Sequence, residues 1–578
     1  MFSFLTKKTT AMLITAVFFS AICMGASDTE LPLRMMQCIE AALTGNRDIM
    51  IERMNLREAE GEVVRAWSTF DPIATADTVY AHVEQPAGSQ LLGADVAEQE
   101  NVTWNFGLQS LVPTGALLRL DFQNERSESN SNFQQLNPQY STSVVFSATQ
   151  PLLRGAGFGP NLYRVKIAKN NLAVSEIALQ ELVLATVSQV EQAYWNLVLA
   201  RENLKVNNLG KELALETLWM TQAQVRTGVL PPVATLQAEA TAAAREEGVI
   251  LAENSVDTAQ RELLRIINAY EIEKKTTIVP LDTPAPIQPL PDFEKLREDA
   301  MRNNFQLKQL EYQLKTATIS RRVARNTILP RLDIVGSVGL NGIAGDAGEP
   351  LSQTVETGRV IPDPTGLSLG ILETTTITSP PSEFDGDYYD ALDTMFGGDY
   401  LQWTIGLQMS YPLGNRGARR EYSRAIIEEQ KSIVQFEKAR DIVRTQIENL
   451  IGNLETSVKR VEATAKSAAL AEKNMRTEEK KFKVGISTNR DVLEAQEAYS
   501  MALSSQNRAL IDYNKNRGKI ERARMGYIDM ALPSQITAIS AQTYSPSAAT
   551  TSLTGQGISG AASGSSSIPG KLSPSIIP

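Results

Sequence analysis

Along this chain the spacing of apolar residues changes character in a set order, and the same order is then run through again. Residues 31–68 and 291–326 carry apolar positions at helical spacing among charges, so each predicts a helix, closed by Pro72 and by Pro330. Strand pattern follows. The stretch "VTWNFGLQS" sets Val102, Trp104, Phe106 and Leu108 against Thr103, Asn105, Gly107 and Gln109. In the second run, "WTIGLQMSY" sets Trp403, Ile405, Leu407, Met409 and Tyr411 against Thr404, Gly406, Gln408 and Ser410. A strict period of two, apolar and aromatic on one face and small or polar on the other, is the pattern of a transmembrane β-strand, although a single soluble sandwich strand looks alike. Residues 73–83, 117–123, 141–149 and 332–340 predict further strands, and "VPTGALLRLDF" places a turn at Pro113 to Gly115. Residues 341–400 read as a long surface loop whose acids are solvated rather than calcium ligands.

Long helices come next. Residues 161–227 contain no proline and one glycine, Gly210; residues 418–484 contain no proline and one glycine, Gly452. Each predicts a helix on the order of 100 Å. The second carries Ile447, Ile451, Leu454, Val458, Val461, Ala465 and Ala468 at alternating steps of four and three, which is coiled-coil spacing. Shorter helices return over residues 233–267 and 490–525. Between the outgoing and returning helices stand "QVRTGVLPPVATLQAEA" and "KFKVGISTNRDVLEAQEA", with Gly485 exactly matching Gly228 at a shift of 257 positions, Leu493 matching Leu236 and Ala495 matching Ala238. Pro330 matches Pro72 at a shift of 258, and "IENLIGNL" matches "VEQAYWNL" at 257. A nearly constant offset over separate segments means two structural repeats.

Composition narrows what such a chain can do. It has 578 residues, a formal net charge of −10, one histidine and two cysteines. A zinc site or a disulfide framework is nearly excluded, no metal or cofactor is implied, and an acidic balance without a basic stripe argues against nucleic acid. Residues 1–26, with Lys7 and Lys8 before an apolar run, read as a secretory signal peptide. A lipoprotein reading would need Cys23 as the acylated residue, against bulky Ile22 just before it. With no other apparent membrane helix, a membrane-spanning mature chain would have to span as a β-barrel. Residues 533–578, rich in Ser, Ala, Thr, Gly and Pro, read as a disordered tail, leaving repeats at 27–288 and 289–532. His82 reads as a barrel or loop residue, Cys38 as a buried thiol, and Trp104, Trp403, Tyr140 and Tyr411 as interfacial or inward-packed aromatics.

The paired glycine turns, the "QPLLRG" and "YPLGNRG" sheet exits and the duplicated order of elements resemble the TolC family of outer-membrane efflux channel proteins, over nearly all of the chain to about Leu532. The resemblance implies an α+β membrane protein: a homotrimer whose outer-membrane β-barrel, shared between protomers, continues into a long periplasmic α-helical coiled-coil barrel. It also implies passage of cargo from a periplasmic adaptor and an inner-membrane transporter to the exterior, in a tripartite efflux or type I secretion system. Physical reasoning points the same way, because a lone protomer would expose sheet edges and a long apolar stripe. The family usually gives four strands per protomer, and the hairpin around Pro113 to Gly115 is additional.

On this resemblance the two glycine turns form the periplasmic tip. Gly228 and Gly485 suit a left-handed helix end, and Val229, Leu230, Ile486 and Ser487 would be exposed to the adaptor. Asp491 and Glu494 fall where the family places its aperture carboxylates, so three copies would make two acidic rings. Thr488 followed by Asp491 equally fits a capping box, a purely structural role. The first repeat has Ala234 and Gln237 at the matching positions. A periplasmic coiled-coil scaffold or adaptor would explain the helices without the alternating aromatic strands. An enzyme lacks any catalytic constellation in this sequence.

Overall fold

The computed structural model describes residues 30–86, 95–131, 134–269, 277–348, 352–361, 371–378 and 382–525. The expected signal peptide with Cys23, and the expected tail at 533–578, lie outside the described residues. The elements run β1 (Glu30–Leu33), α1 (Met35–Gly45), α2 (Arg47–Trp67), β2 (Ile73–Pro86), β3 (Val96–Leu111), β4 (Leu117–Ser129), β5 (Leu136–Pro151), α3 (Phe158–Asn161), α4 (Tyr163–Arg226) and α5 (Val233–Ile266). They continue with β6 (Thr277–Pro280), α6 (Phe293–Asn303), α7 (Phe305–Thr327), β7 (Arg331–Ala347), β8 (Ser352–Ile361), β9 (Ile371–Thr378), α8 (Tyr388–Gly397), β10 (Leu401–Ser410), α9 (Arg416–Lys483) and α10 (Asn489–Met525).

Each repeat opens on two helices where spacing predicted one. Asn46 Oδ1 accepts from the backbone of Asp48 and Ile49, and Asn304 Oδ1 accepts from Leu307, each with its own backbone extended as an N-cap requires. Asn304 stands 258 positions after Asn46, so the break belongs to the repeat. The first repeat is also tied start to end: β1 pairs in parallel with β6, from Glu30↔Thr277 to Leu33↔Pro280. The buried Tyr194 hydroxyl of α4 donates to Leu33 O and accepts from Asp282 N, both at 3.1 Å. Beside it, burial and then the Asp282 charge push the Cys38 thiol up to about 11, so it is an inert core group.

The four long helices lie side by side in the order α5, α4, α10, α9, with α2 and α7 laid against them. Along α9, Ile447, Ile451, Leu454 and Val461 are buried in one cluster with Ala509, Tyr513 and Ile520 of α10 and Leu296 and Ala300 of α6, and Ala468 is buried farther along the same helix. The coiled-coil spacing therefore marks the seam between outgoing and returning helix. Part of α4 has a mean hydropathy of 1.2, enough for a membrane span by length and composition, which the sequence reading did not expect. Because α4 packs against α2, α5, α7 and α10, this apolarity is that of a central helix.

All six alternating segments are strands of one antiparallel sheet, in the order β10-β7-β5-β4-β3-β2. Among the described residues neither edge strand, β10 or β2, has a partner on its outer side. Two unbroken apolar rows cross one face: Ala76, Phe106, Phe122, Val144, Leu340 and Leu401, and next to them Ala74, Leu108, Leu120, Phe146, Val338 and Trp403. The opposite face carries Thr75, Gly107, Asp121, Val145, Gly339 and Gln402 in one row. The polar side chains of Asp77, Asn105 and Ser143 follow on that side, with Asn105 Nδ2 donating to Asp77 at 3.0 Å. The strands emerge from α2 and α7 and return into the long helices, so one end of the sheet is helical and the other distal. His82 is a β2 residue between Glu84 and Glu100.

The segment expected to be a structureless loop is in part ordered. It completes β7, forms the separate β8–β9 hairpin, and folds α8 against the apolar face near its distal end. Asp387 caps α8 in a reciprocal box with Asp390, and Gly398 ends it at φ +82°. The Asp- and Gly-rich composition that suggested a loop is therefore the punctuation of a helix. Thr142 Oγ1 donates to Ala391 O at 3.2 Å, the Tyr388 hydroxyl donates to Asn124 Oδ1 at 2.9 Å, and the Tyr388 ring meets Trp104 and Tyr140 edge-on. Gly342 permits this approach, since a Cβ there would lie 2.1 Å from Ala391 O.

Candidate functional site

The two helical turns at the far end from the sheet are built alike. Gly228 N donates to Val225 O and Val229 N to Gln224 O; Gly485 N donates to Phe482 O and Ile486 N to Lys481 O. This double bond pattern, with glycine at φ +74° and +75°, is a Schellman closure that satisfies carbonyls a helix end leaves orphaned. At the two turns Val229 is 67% exposed and Ile486 78% exposed. Leu230 and Ser487, expected to be exposed, are half-buried. Ser487 is turned back by its hydroxyl, which donates to Glu478 Oε2 at 2.8 Å.

The turns differ in how the next helix starts. The first uses Pro231 and Pro232, whose carbonyls accept from Ala234 N and Thr235 N. The second uses a reciprocal pair: Thr488 N and Oγ1 donate to Asp491 Oδ2 at 3.1 and 2.7 Å, and Asp491 N donates back to Thr488 Oγ1 at 3.3 Å. These bonds from Thr488 hold the Asp491 carboxyl below the usual carboxylate range, and Lys481 followed by Ser487 does the same for Glu478. Asp491 and Glu494 are both exposed and stand on the face of α10 opposite to Val492, Leu493, Ala495 and Gln496, which are buried. The capping role of Asp491 is thus realised, and the same geometry leaves its charge and that of Glu494 facing outward.

A buried link between the hairpins was not foreseen. Gln496 Nε2 donates to Thr217 Oγ1 of α4 and to Glu479 of α9, both at 3.2 Å, tying the second turn to the first helix pair. Farther from the tip, Arg522 of α10 pairs with Glu191 of α4, both side chains largely buried. Polar residues at otherwise apolar heptad positions are the sequence signal for such links. Among the described residues no cluster of His, Cys, Asp or Glu could hold a metal ion.

A sheet crossed on one face by two apolar rows, carried on long paired helices and written as two repeats, is the architecture of an outer-membrane channel protein. The chain belongs to the outer membrane efflux protein family, whose sequence model matches residues 112–269 and 296–523. Solved structures share the fold. The outer-membrane channel OprN is 16% identical with a TM-score of 0.59, over 85% of this chain and 90% of that one. The outer membrane protein VceC of Vibrio cholerae is 14% identical with a TM-score of 0.56, over 85% and 96%. The CmeC outer membrane channel of Campylobacter jejuni is 14% identical with a TM-score of 0.57, over 88% of each chain. A search of curated proteins returns no match. The chain is an outer-membrane efflux channel protein with a periplasmic helical domain, and the pore-free scaffold reading is not favoured.

Proposed function

We propose that three copies of this chain close one barrel in the outer-membrane lipid and one helical tunnel below it, through which cargo handed over by a periplasmic adaptor and an inner-membrane transporter leaves the cell. The observation that carries this reading is the state of the sheet edges. Neither β10, "LQWTIGLQMS", nor the exposed β2 carries the lysines with which natural sheets blunt a free edge, and β10 has neither charge nor proline. The two edges also run in opposite senses, β2 away from the helical end and β10 back towards it, so edge pairing between copies would be antiparallel like every other pair in the sheet.

Six strands per chain would make eighteen in the trimer, against the four per chain the resemblance implied. A barrel of that count is about 35 Å between backbones, whereas twelve strands give about 24 Å. The apolar rows would face lipid and the polar face the lumen. Residues 1–26 would be the cleaved signal, 27–288 and 289–532 the repeats, and 533–578 a tail.

At the other end Gly228, Val229, Leu230, Gly485, Ile486 and Ser487 would meet the adaptor, and Asp491 with Glu494 would line an aperture that only the second repeat supplies. The test is native mass determination of the detergent-extracted outer-membrane particle, followed by bilayer recording. Three chains per particle and a cation-selective pore support the proposal; a soluble monomer refutes it. Replacing both carboxylates, Asp491→Ala with Glu494→Ala, is expected to raise conductance and weaken divalent-cation block. Unchanged recordings would remove the aperture assignment.

A further inference from the structure

The contact between neighbouring copies can be read from a contact already present inside one chain. Shifting the sequence by 257 positions carries α4 onto α9 and α5 onto α10: Arg226 falls on Lys483, the end of α9, and Ile266 falls two residues before Met525, the end of α10. In the observed order α5, α4, α10, α9, the central contact joins an outgoing helix of the first repeat to a returning helix of the second. The same kind of contact, shifted by one repeat, would join α9 to α5 of a second copy. Those are the two helices whose outer flanks are uncovered in a single chain.

The side chains fit this shift. Four pairs join α4 and α10: Thr217 with Gln496, Gly210 against Ser500, Asn196 with Lys515, and Glu191 with Arg522. Moved by one repeat they become Asn474 with Glu239, Ser467 with Ala243, Asn453 with Thr258, and Glu448 with Arg265. Each translated pair is chemically compatible: two amides beside hydrogen-bonding partners, two small residues, and one ion pair. All eight of these residues are exposed in the single chain, whereas Thr217, Gly210 and Gln496 are buried. The apolar positions agree. Leu493 of α10 is 9% exposed, and Leu236, its counterpart on α5, is 65% exposed. Leu470 on the free flank of α9 is exposed while its counterpart Leu213 on α4 is half-buried.

We infer that α9 of one copy packs on α5 of the next in the register of α4 on α10, with Glu448 facing Arg265 of the neighbouring copy as Glu191 faces Arg522 within the chain. Arg265 now pairs with Glu262 and Glu448 with Arg444 along their own helices, all of them exposed. On assembly the pair would become sheltered as Arg522 and Glu191 are, and its geometry would fix the register of the tunnel. The inference rests on the proposed trimer.

The test is cysteine crosslinking in full-length protein, whose Cys38 is buried. Gly210 and Ser500 approach closely enough that a Cβ on Gly210 would lie 3.5 Å from Ser500 Oγ. Ala243→Cys combined with Ser467→Cys should therefore crosslink copies under mild oxidation into a ladder ending at three chains. Ala243→Cys with Asn453→Cys, two heptads out of register, should give none. Charge reversal supplies the second readout: Glu448→Arg or Arg265→Glu alone should lower the heat resistance of the particle in detergent, and the two together should restore it. A particle of three chains in which the mismatched pair crosslinks and the matched pair does not overturns the register alone. A particle of any other number of chains overturns the trimer and the inference with it.

Discussion

Replacing glycine by alanine at three places should act with opposite signs, and the structure supplies the sizes. At Gly485 and Gly228 a Cβ would meet nothing within 4 Å, so sterics with neighbours contribute nothing and only the backbone matters. With φ near +75° at both, the left-handed conformation costs an L-residue about 1–2 kcal/mol. Stiffening of the unfolded chain returns about 0.4–1 kcal/mol, leaving a net loss of about 1 kcal/mol. At Gly61 in α2 a Cβ also meets nothing, but the backbone is helical, so alanine should gain about 1 kcal/mol. Amide exchange of the purified particle, resolved by peptide, reads this directly. Peptides across residues 478–492 in Gly485→Ala, and across 221–235 in Gly228→Ala, should exchange about 5-fold faster, and α2 in Gly61→Ala about 5-fold slower. Unchanged or slower exchange at the tips would refute the left-handed closure, and a large inequality between them would refute the claim that the repeats share one turn.

Three other outcomes are expected. Glu191→Gln removes the charge facing Arg522, whose side chain is only 12% exposed, and should destabilise the link between repeats by about 1–3 kcal/mol, measured as a lower thermal midpoint. Gly342→Ala drives a methyl group into the backbone of α8, so limited proteolysis within residues 382–400 should accelerate while the helical hairpins stay intact. The Asp491 carboxyl is lowered by Thr488, so its stabilisation of the second turn is present at and above the unfolded value near 3.9 and is lost as pH falls through the lower folded value. Exchange at residues 484–492, corrected for intrinsic rates, should therefore stay flat from pH 7 to 5 and rise only below about pH 4; a rise near pH 6 would refute the assignment.

Much of this fold is legible in the sequence because two periods, 2 and 3.5, are imposed by burial on one side of a strand or a seam. Strict alternation marks six strands, and each is longer in the structure; β4 and β5, for instance, continue through polar residues such as Asn124, Glu125 and Gln139 that a hydrophobic pattern does not mark. The helix breaks at Asn46 and Asn304 were missed since apolar spacing runs straight across a cap. At α8 the error had the opposite sense: Asp387 and Gly398 are caps, but Asp and Gly also make loops, and only the packing of Ala391 and Met395 on the sheet decides between them.

The repeat explains which parts of the site could not be read from one copy of the pattern. Leu236 and Leu493 occupy the same place in the same motif, yet one is exposed and the other buried, because α10 has a helix on each flank and α5 has one. A periodic pattern records the surface a helix is built to bury and carries no mark of whether the partner is in the same chain. The turns diverge where their neighbours differ: both keep glycine because the backbone demands it, while Pro231 and Pro232 on one side and Thr488 with Asp491 on the other start the returning helix by different chemistry. Only the second leaves a carboxylate at the turn. In the proposed trimer, a ring that alternates the two would carry negative charge once per chain, so a three-fold arrangement of charge would be laid over a backbone that would repeat six times.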